Sequence, residues 1–175
     1  YIAGMGFSNV GLGIVHSMAH PLGAVYDTPH GVANAIILPT VMEYNAEATG
    51  DKYKYIAKAM GVEGTENMTV EEYRKAAIDA VKQLSHDVGI PANLKDIVKR
   101  EDIPFLAQSA YDDACRPGNP RDTSVEDITK LYESLIIHLH TAGIACSTAT
   151  NKLPPFRQRR CCKKAVQDLP LLHGF

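Results

Sequence analysis

Thr69 and Glu72 stand three residues apart at the head of a stretch in which Tyr73, Ala76, Ala77, Ala80, Val81 and Leu84 recur at helical spacing. A threonine hydroxyl there can take the glutamate's backbone N–H while the glutamate carboxylate takes the threonine's, which fixes a helix start. Gly89 and Pro91 end the run, glycine by tolerating the left-handed turn and proline by lacking an N–H. The same grammar recurs. Asp51 to Met60 keeps Tyr55, Ile56 and Met60 on one face before Gly61. A helix from Glu101 to Cys115 shows Ile103, Leu106, Ala107 and Ala110 and closes at Arg116-Pro-Gly-Asn-Pro120. Thr123 with Glu126 reads as the cap of a last helix with Val125, Ile128, Leu131, Tyr132 and Leu135 inward. No run alternates as a strand, so the expected fold class is all-α, with at least five helices and no sheet of more than two short strands. Gly4, Gly6, Gly11 and Gly13 lie among helix-compatible apolar residues and are expected to serve close helix packing.

At 175 residues, 45% hydrophobic and 22% charged, the chain can bury one sizeable core. A formal charge of −2 argues against a chain built for nucleic acid or an anionic membrane. No stretch approaches the roughly 18 to 20 apolar residues of a membrane span, and a cytoplasmic protein with no membrane partner is expected. Four cysteines are too few for a disulfide scaffold, and the Cys161-Cys162 pair has no zinc-ribbon or redox spacing; all read as reduced thiols. The start at Tyr1, directly in a Gly-rich apolar segment, is expected of a piece of a longer protein.

Charge divides the chain. Residues 1–137 hold 12 Lys/Arg against 19 Asp/Glu, and residues 138–175 hold 6 against 1. Two parts are therefore expected: a helical body over 1–136 and a basic tail over 137–175, poorly ordered and weakly packed because it lacks a periodic apolar face. Arg157, Arg159, Arg160, Lys163 and Lys164 could form a nucleic-acid arm. With only Phe156 nearby to stack on a base, a solvated extension is the expectation, and no nucleic-acid partner.

Chemistry concentrates in the histidines His16, His20 and His30. On a helix, His16 and His20 project from one face a turn apart, and Pro29-His30 opens a new helix after a loop expected from Pro21 to Pro29. A helix-loop-helix can fold His30 back toward His16, and imidazole is a usual ligand of divalent iron and zinc. Hydrogen-bonded core or loop histidines are the alternative, since no third and fourth ligand is evident. Asp27, the nearest carboxylate in sequence, reads as a loop cap. Neither a Walker loop nor a strand followed by Gly-x-Gly-x-x-Gly occurs.

Ala3-Gly-Met-Gly-Phe-Ser-Asn-Val-Gly-Leu-Gly13, His16-Ser-Met-Ala-His-Pro-Leu-Gly23 and Thr28-Pro-His-Gly-Val-Ala-Asn-Ala35 together resemble the second signature of the iron-dependent alcohol dehydrogenases. The resemblance continues through Val41-Met-Glu-Tyr-Asn45, Asp87-Val-Gly-Ile-Pro91, Glu101-Asp-Ile-Pro104 and Gly118-Asn-Pro-Arg121 to the helix near Tyr132, covering roughly residues 1–136. It implies the metal-binding helical domain, of dehydroquinate synthase-like type, from a two-domain enzyme whose amino-terminal α/β half binds the nicotinamide cofactor. In that family one aspartate and three histidines hold the metal, and the last two histidines match His16 and His30. His20 matches a histidine facing nicotinamide and substrate, a catalytic and cofactor-contacting position able to relay the alcohol proton. Phe7 and Cys115 match substrate-pocket positions, with core packing for Phe7 and a buried inert thiol for Cys115 as the other readings.

The resemblance further implies iron(II), with zinc as the alternative, and NAD bound mainly by the missing half. It implies a small aldehyde and its alcohol as substrates, and a homodimeric parent enzyme. The isolated chain is expected to be inactive, two of four metal ligands being absent. The rival reading is a helical binding or assembly module that keeps the fold without catalysis.

Overall fold

The structure, a computed structural model, describes residues 1–136. The expectations for the 137–175 tail lie outside the described residues. Among those described there are seven α-helices joined by short turns and 3-10 segments, and no strands.

The first helix, α1 (Ile2–Val10), belongs to neither apolar cluster. The central pair, α2 (Ile14–Tyr26) and α3 (His30–Asn45), packs together and carries all three histidines. Next, α4 (Lys52–Ala59) packs on α5 (Val70–Asp87). The last two, α6 (Ile103–Tyr111) and α7 (Val125–Ile136), pack on each other, with α6 also against α2. One core joins Ile14, Met18 and Leu22 of α2, Ile37 of α3, Leu106 of α6 and Ile128 of α7. A smaller cluster, with Met42, Tyr53, Ala57, Tyr73, Ala77 and Ile78, seals α4 and α5 onto the far end of α3.

Helix α5 starts where its capping box says: the Glu72 N–H donates to Thr69 Oγ1 at 3.3 Å and the Thr69 N–H to Glu72 Oε2 at 2.8 Å. Ile103, Leu106, Ala107 and Ala110 are all buried, as their spacing requires, although α6 ends at Tyr111 rather than Cys115.

Other expectations need correction. Helix α2 does not stop at Pro21 but runs through it to Tyr26, since a mid-helix proline removes one hydrogen bond and its buried ring packs in return. The connection shrinks to Asp27-Thr28-Pro29, and Asp27 does cap: left-handed at φ 53°, its N–H reaches Gly23 O. The box opening α7 is Ser124 with Asp127, not Thr123 with Glu126. Asp127 N–H donates to Ser124 Oγ (3.1 Å) and Ser124 N–H to Asp127 Oδ2 (3.0 Å). On α4 the buried residues are Tyr53 and Ala57, while Tyr55 and Met60 are exposed, because the partner surface lies at Met42, whose carbonyl accepts from Tyr53 Oη at 2.7 Å. Leu84, expected on the inner face of α5, is exposed.

Close packing explains only some of the glycines. Gly13 sits against Asn119, where a Cβ would stand 3.1 Å from its Oδ1, whereas Gly11 is needed for its φ of +80° and Gly6 faces open space.

Candidate metal and catalytic centre

His16 and His20 lie one turn apart on α2, and His30 opens α3 after the three-residue connection, so the helix hairpin returns it to the same place. The ring centroids are 5.4 Å apart for His16 and His30, 5.3 Å for His20 and His30, and 6.4 Å for His16 and His20. His20 stacks on His30 with 16° between ring planes. Tyr132 holds α2 in register from α7 by donating its buried hydroxyl to Met18 O at 2.6 Å. At the end of α2, Tyr26 Oη donates to Asp102 and accepts the Lys99 N–H.

An open apolar cleft of about 480 Å³ runs between α2 and α3, lined by Gly11, Leu12, Val15, His16, Asn34 and Leu38 among others. Asn34 Nδ2 donates to His30 Nε2 at 2.9 Å, so the amide occupies that lone pair while the ring stands so and must yield it for His30 to ligate a metal through Nε2.

The electrostatics suit a cation. Burial lowers the His16 pKa first, and the neighbouring His30 and His20 lower it further against a smaller opposing effect of Asp113. A neutral imidazole keeps the lone pair that a metal needs. The spacing also fits. An imidazole bound at about 2.1 Å puts its centroid about 3.3 Å from the ion, so two held at a tetrahedral angle stand about 5.4 Å apart, beside the 5.4 Å of His16 and His30. Two imidazoles from adjacent helices are an apt partial donor set for divalent iron or zinc.

The turn after α6 supplies what sequence reasoning missed. Asp113, 93 residues from His20, places Oδ2 2.8 Å from His20 Nδ1. Its Oδ1 accepts from the Cys115 N–H at 2.8 Å and from Ser17 Oγ at 3.3 Å. Burial pushes its carboxyl upward, but the hydrogen bonds from His20 and Cys115 outweigh this and hold it below the usual carboxylate range. One atom each of His20, Asp113 and Cys115 lie within 4.8 Å of one another.

Backbone contacts pin this turn. Arg116 Nε donates to Tyr111 O at 2.6 Å while its guanidinium lies over the Tyr111 ring, and Gly118 packs against the Leu12 carbonyl. Asn119 exchanges two 2.9 Å amide hydrogen bonds with Asn45.

Cys115 is thus brought beside His20, half-buried, its thiol pushed up by burial first and by its bond to Asp113 second. Phe7 is different: its ring on α1 is 51% exposed, so the core packing entertained for it does not occur, because α1 joins no apolar cluster. Asp27 does not turn out to be the site's carboxylate. It has no hydrogen bond to a histidine, whereas Asp113 does.

Residues 1–136 match the C-terminal family model of the Fe-containing alcohol dehydrogenases. The chain belongs to that family. Among its relatives, Escherichia coli (strain K12) lactaldehyde reductase is 63% identical over 135 residues, covering 77% of this chain and 35% of that enzyme. Citrobacter freundii 1,3-propanediol dehydrogenase is 44% identical over 132 residues, covering 75% of this chain and 34% of that enzyme. The solved alcohol dehydrogenase from Oenococcus oeni superposes with a TM-score of 0.72 at 44% identity, covering 76% of this chain and 35% of that structure. The chain therefore spans about a third of the length of the curated relatives it matches. Its all-helical described part is the fold of that family's C-terminal domain.

Proposed function

We propose that this chain is the metal- and substrate-binding part of an NAD-linked oxidoreductase that interconverts lactaldehyde and 1,2-propanediol or similar small aldehydes and alcohols. The convergence of His16, His20 and His30 within 6.4 Å, in a chain of this family, carries the reading. His16 and His30 are the metal ligands this chain supplies, for iron(II) or alternatively zinc, and the remaining ligands come from sequence outside it. When bound, the metal polarises the carbonyl oxygen and the nicotinamide gives or takes the hydride.

The chain's own residues do the rest. His20, exposed beside the pair, carries the alcohol proton to and from solvent. The apolar cleft beside His16 accepts the carbon skeleton of a small substrate and limits water there. Phe7 and Cys115 are substrate-contacting positions, Cys115 through packing rather than as a nucleophile, since its thiol stays protonated. NAD is bound mainly by the other half, with His20 as this chain's contact. The complete enzyme is a cytoplasmic homodimer, and the isolated chain does not turn over substrate, because hydride transfer needs the nicotinamide held in register.

Calorimetric titration with Fe(II) and Zn(II) tests the site. Binding by the wild-type chain and its loss in H16A and H30A, with H86A unchanged, is the expected result; equal binding by H30A would refute the ligand assignment. NADH-dependent lactaldehyde reduction should be absent with the chain alone and present in the full-length protein. Robust turnover by the chain alone would refute the division of labour between halves.

A further inference from the structure

His20 carries a second contact that its place beside the metal ligands does not require. Its Nδ1 is 2.8 Å from Asp113 Oδ2, on an element 93 residues away. An ionised carboxylate only accepts, so Nδ1 is the donor, and a neutral ring so held keeps its lone pair on Nε2. Among the described residues no hydrogen bond engages Nε2. We propose that Asp113 is the positioning residue of this centre: it locks His20 in the Nδ1–H tautomer and in one ring orientation, so that Nε2 is the atom that takes and returns the substrate proton. The proposal rests on the reading of His20 as the proton carrier.

Three further observations support it. Asp113 is itself held, by the Cys115 N–H and the Ser17 hydroxyl on Oδ1, so the carboxylate cannot swing with the ring. Its side chain is 19% exposed against 42% for His20, so the anion sits on the protein side of the pair and the ring on the open side. Finally, the stack on His30 fixes the ring's plane while Asp113 fixes its rotation about that plane, leaving a single orientation.

A separate ion bound by His20, Asp113 and Cys115 is the competing use of the same atoms, and it is the weaker one. It would replace the Nδ1 proton, strip Asp113 of an established donor and require ionisation of a thiol that burial keeps protonated.

The test reads the tautomer directly. Proton–nitrogen correlation spectra of the metal-free, isotope-labelled 175-residue chain are recorded at a pH above the histidine range, with His20 assigned by its loss in H20Q. Wild type should show a protonated Nδ1 and an unprotonated Nε2 at His20. D113N, whose amide can donate to Nδ1, should move the proton to Nε2, and D113E should restore the wild-type pattern. A wild-type His20 protonated at Nε2, or a D113N spectrum identical to wild type, would overturn the proposal. If D113N does not fold, the wild-type and D113E spectra decide on the same criterion. Zinc added to wild type and D113N separates the competing site: equal affinity is expected, and a loss confined to D113N would favour the His20–Asp113–Cys115 ion.

In the full-length enzyme D113N should lower kcat about a hundredfold or more with little change in KM. An unchanged kcat despite a flipped tautomer would overturn the catalytic consequence. Because the tautomer is read without metal, failure of His16 and His30 to bind an ion would refute the proposed function and leave this result standing.

Discussion

Gly118→Ala isolates the packing that holds the Asp113 turn against α2. A Cβ at residue 118 would stand 3.3 Å from the carbonyl carbon of Leu12 and 3.7 Å from its nitrogen, and would overlap the carbonyl oxygen. All three atoms are backbone, so no side chain can rotate away; the turn or the segment entering α2 must move. Gly118 does not occupy the left-handed region, so the penalty comes from space and not from φ. Overpacking of this kind costs about 1–3 kcal/mol. For a domain of this size each kcal/mol lowers the melting temperature by about 3–4 °C, giving an expected fall of about 3–12 °C. Thermal unfolding followed by far-ultraviolet circular dichroism measures it. Gly6→Ala is the matched control: Gly6 lies inside α1 with nothing within 4 Å, so alanine there should be neutral or stabilising by up to about 1 kcal/mol. If G118A melts with wild type, the close approach of the turn to Leu12 is not a constraint and the account of how Asp113 is held fails.

Ser124→Ala should cost about 1 kcal/mol by removing the α7 cap, whereas Thr123→Val, which deletes a buried hydroxyl without a partner, should be neutral or stabilising; chemical denaturation compares them. Asp127 adds a pH dependence. The Ser124 backbone N–H first, and its hydroxyl second, hold the carboxyl below the ordinary aspartate value of 3.8. A carboxyl depressed in the folded state stabilises fully above that value and loses its contribution as pH falls through the depressed one, so D127N should unfold with a flatter acid limb than wild type. Cys115 should alkylate more slowly at neutral pH than an unstructured cysteine peptide, read by mass spectrometry of a variant with Cys146, Cys161 and Cys162 replaced by serine.

The local grammar of the fold was legible where one physical rule spoke alone. Thr69 and Glu72 had no competitor, and Ile103, Leu106, Ala107 and Ala110 allow one inward face. Where two rules overlapped, the pattern misled. Thr123/Glu126 and Ser124/Asp127 both satisfy the capping spacing, and the structure forms the second. Pro21 looked like a terminator because sequence cannot show that its ring would be buried. On α4, Tyr53 and Tyr55 are equally apolar, and the position of Met42 decides between them. His16, His20 and His30 could be read because they are close in the chain and their residue type carries the chemistry. Asp113 could not: one aspartate of an adjacent pair, it gains meaning only from a contact across 93 residues. Its nearness to Cys115, already singled out by resemblance, was the one available signal.

The two halves of the candidate centre differ in when they can form. His16 and His30 are 14 residues apart in one helix hairpin, a contact the chain can make as soon as α3 has left the ribosome. His20 and Asp113 close a loop of 93 residues, at an added chain-entropy cost of about 1.7 kcal/mol relative to the hairpin. The imidazole pair is thus a local, early structure, whereas the orientation of His20 awaits docking of α6 on α2. A nascent chain that has emerged only to α5 can bring His16 and His30 together while His20 still lacks Asp113, so the two histidine contacts become separate events in the folding of this domain.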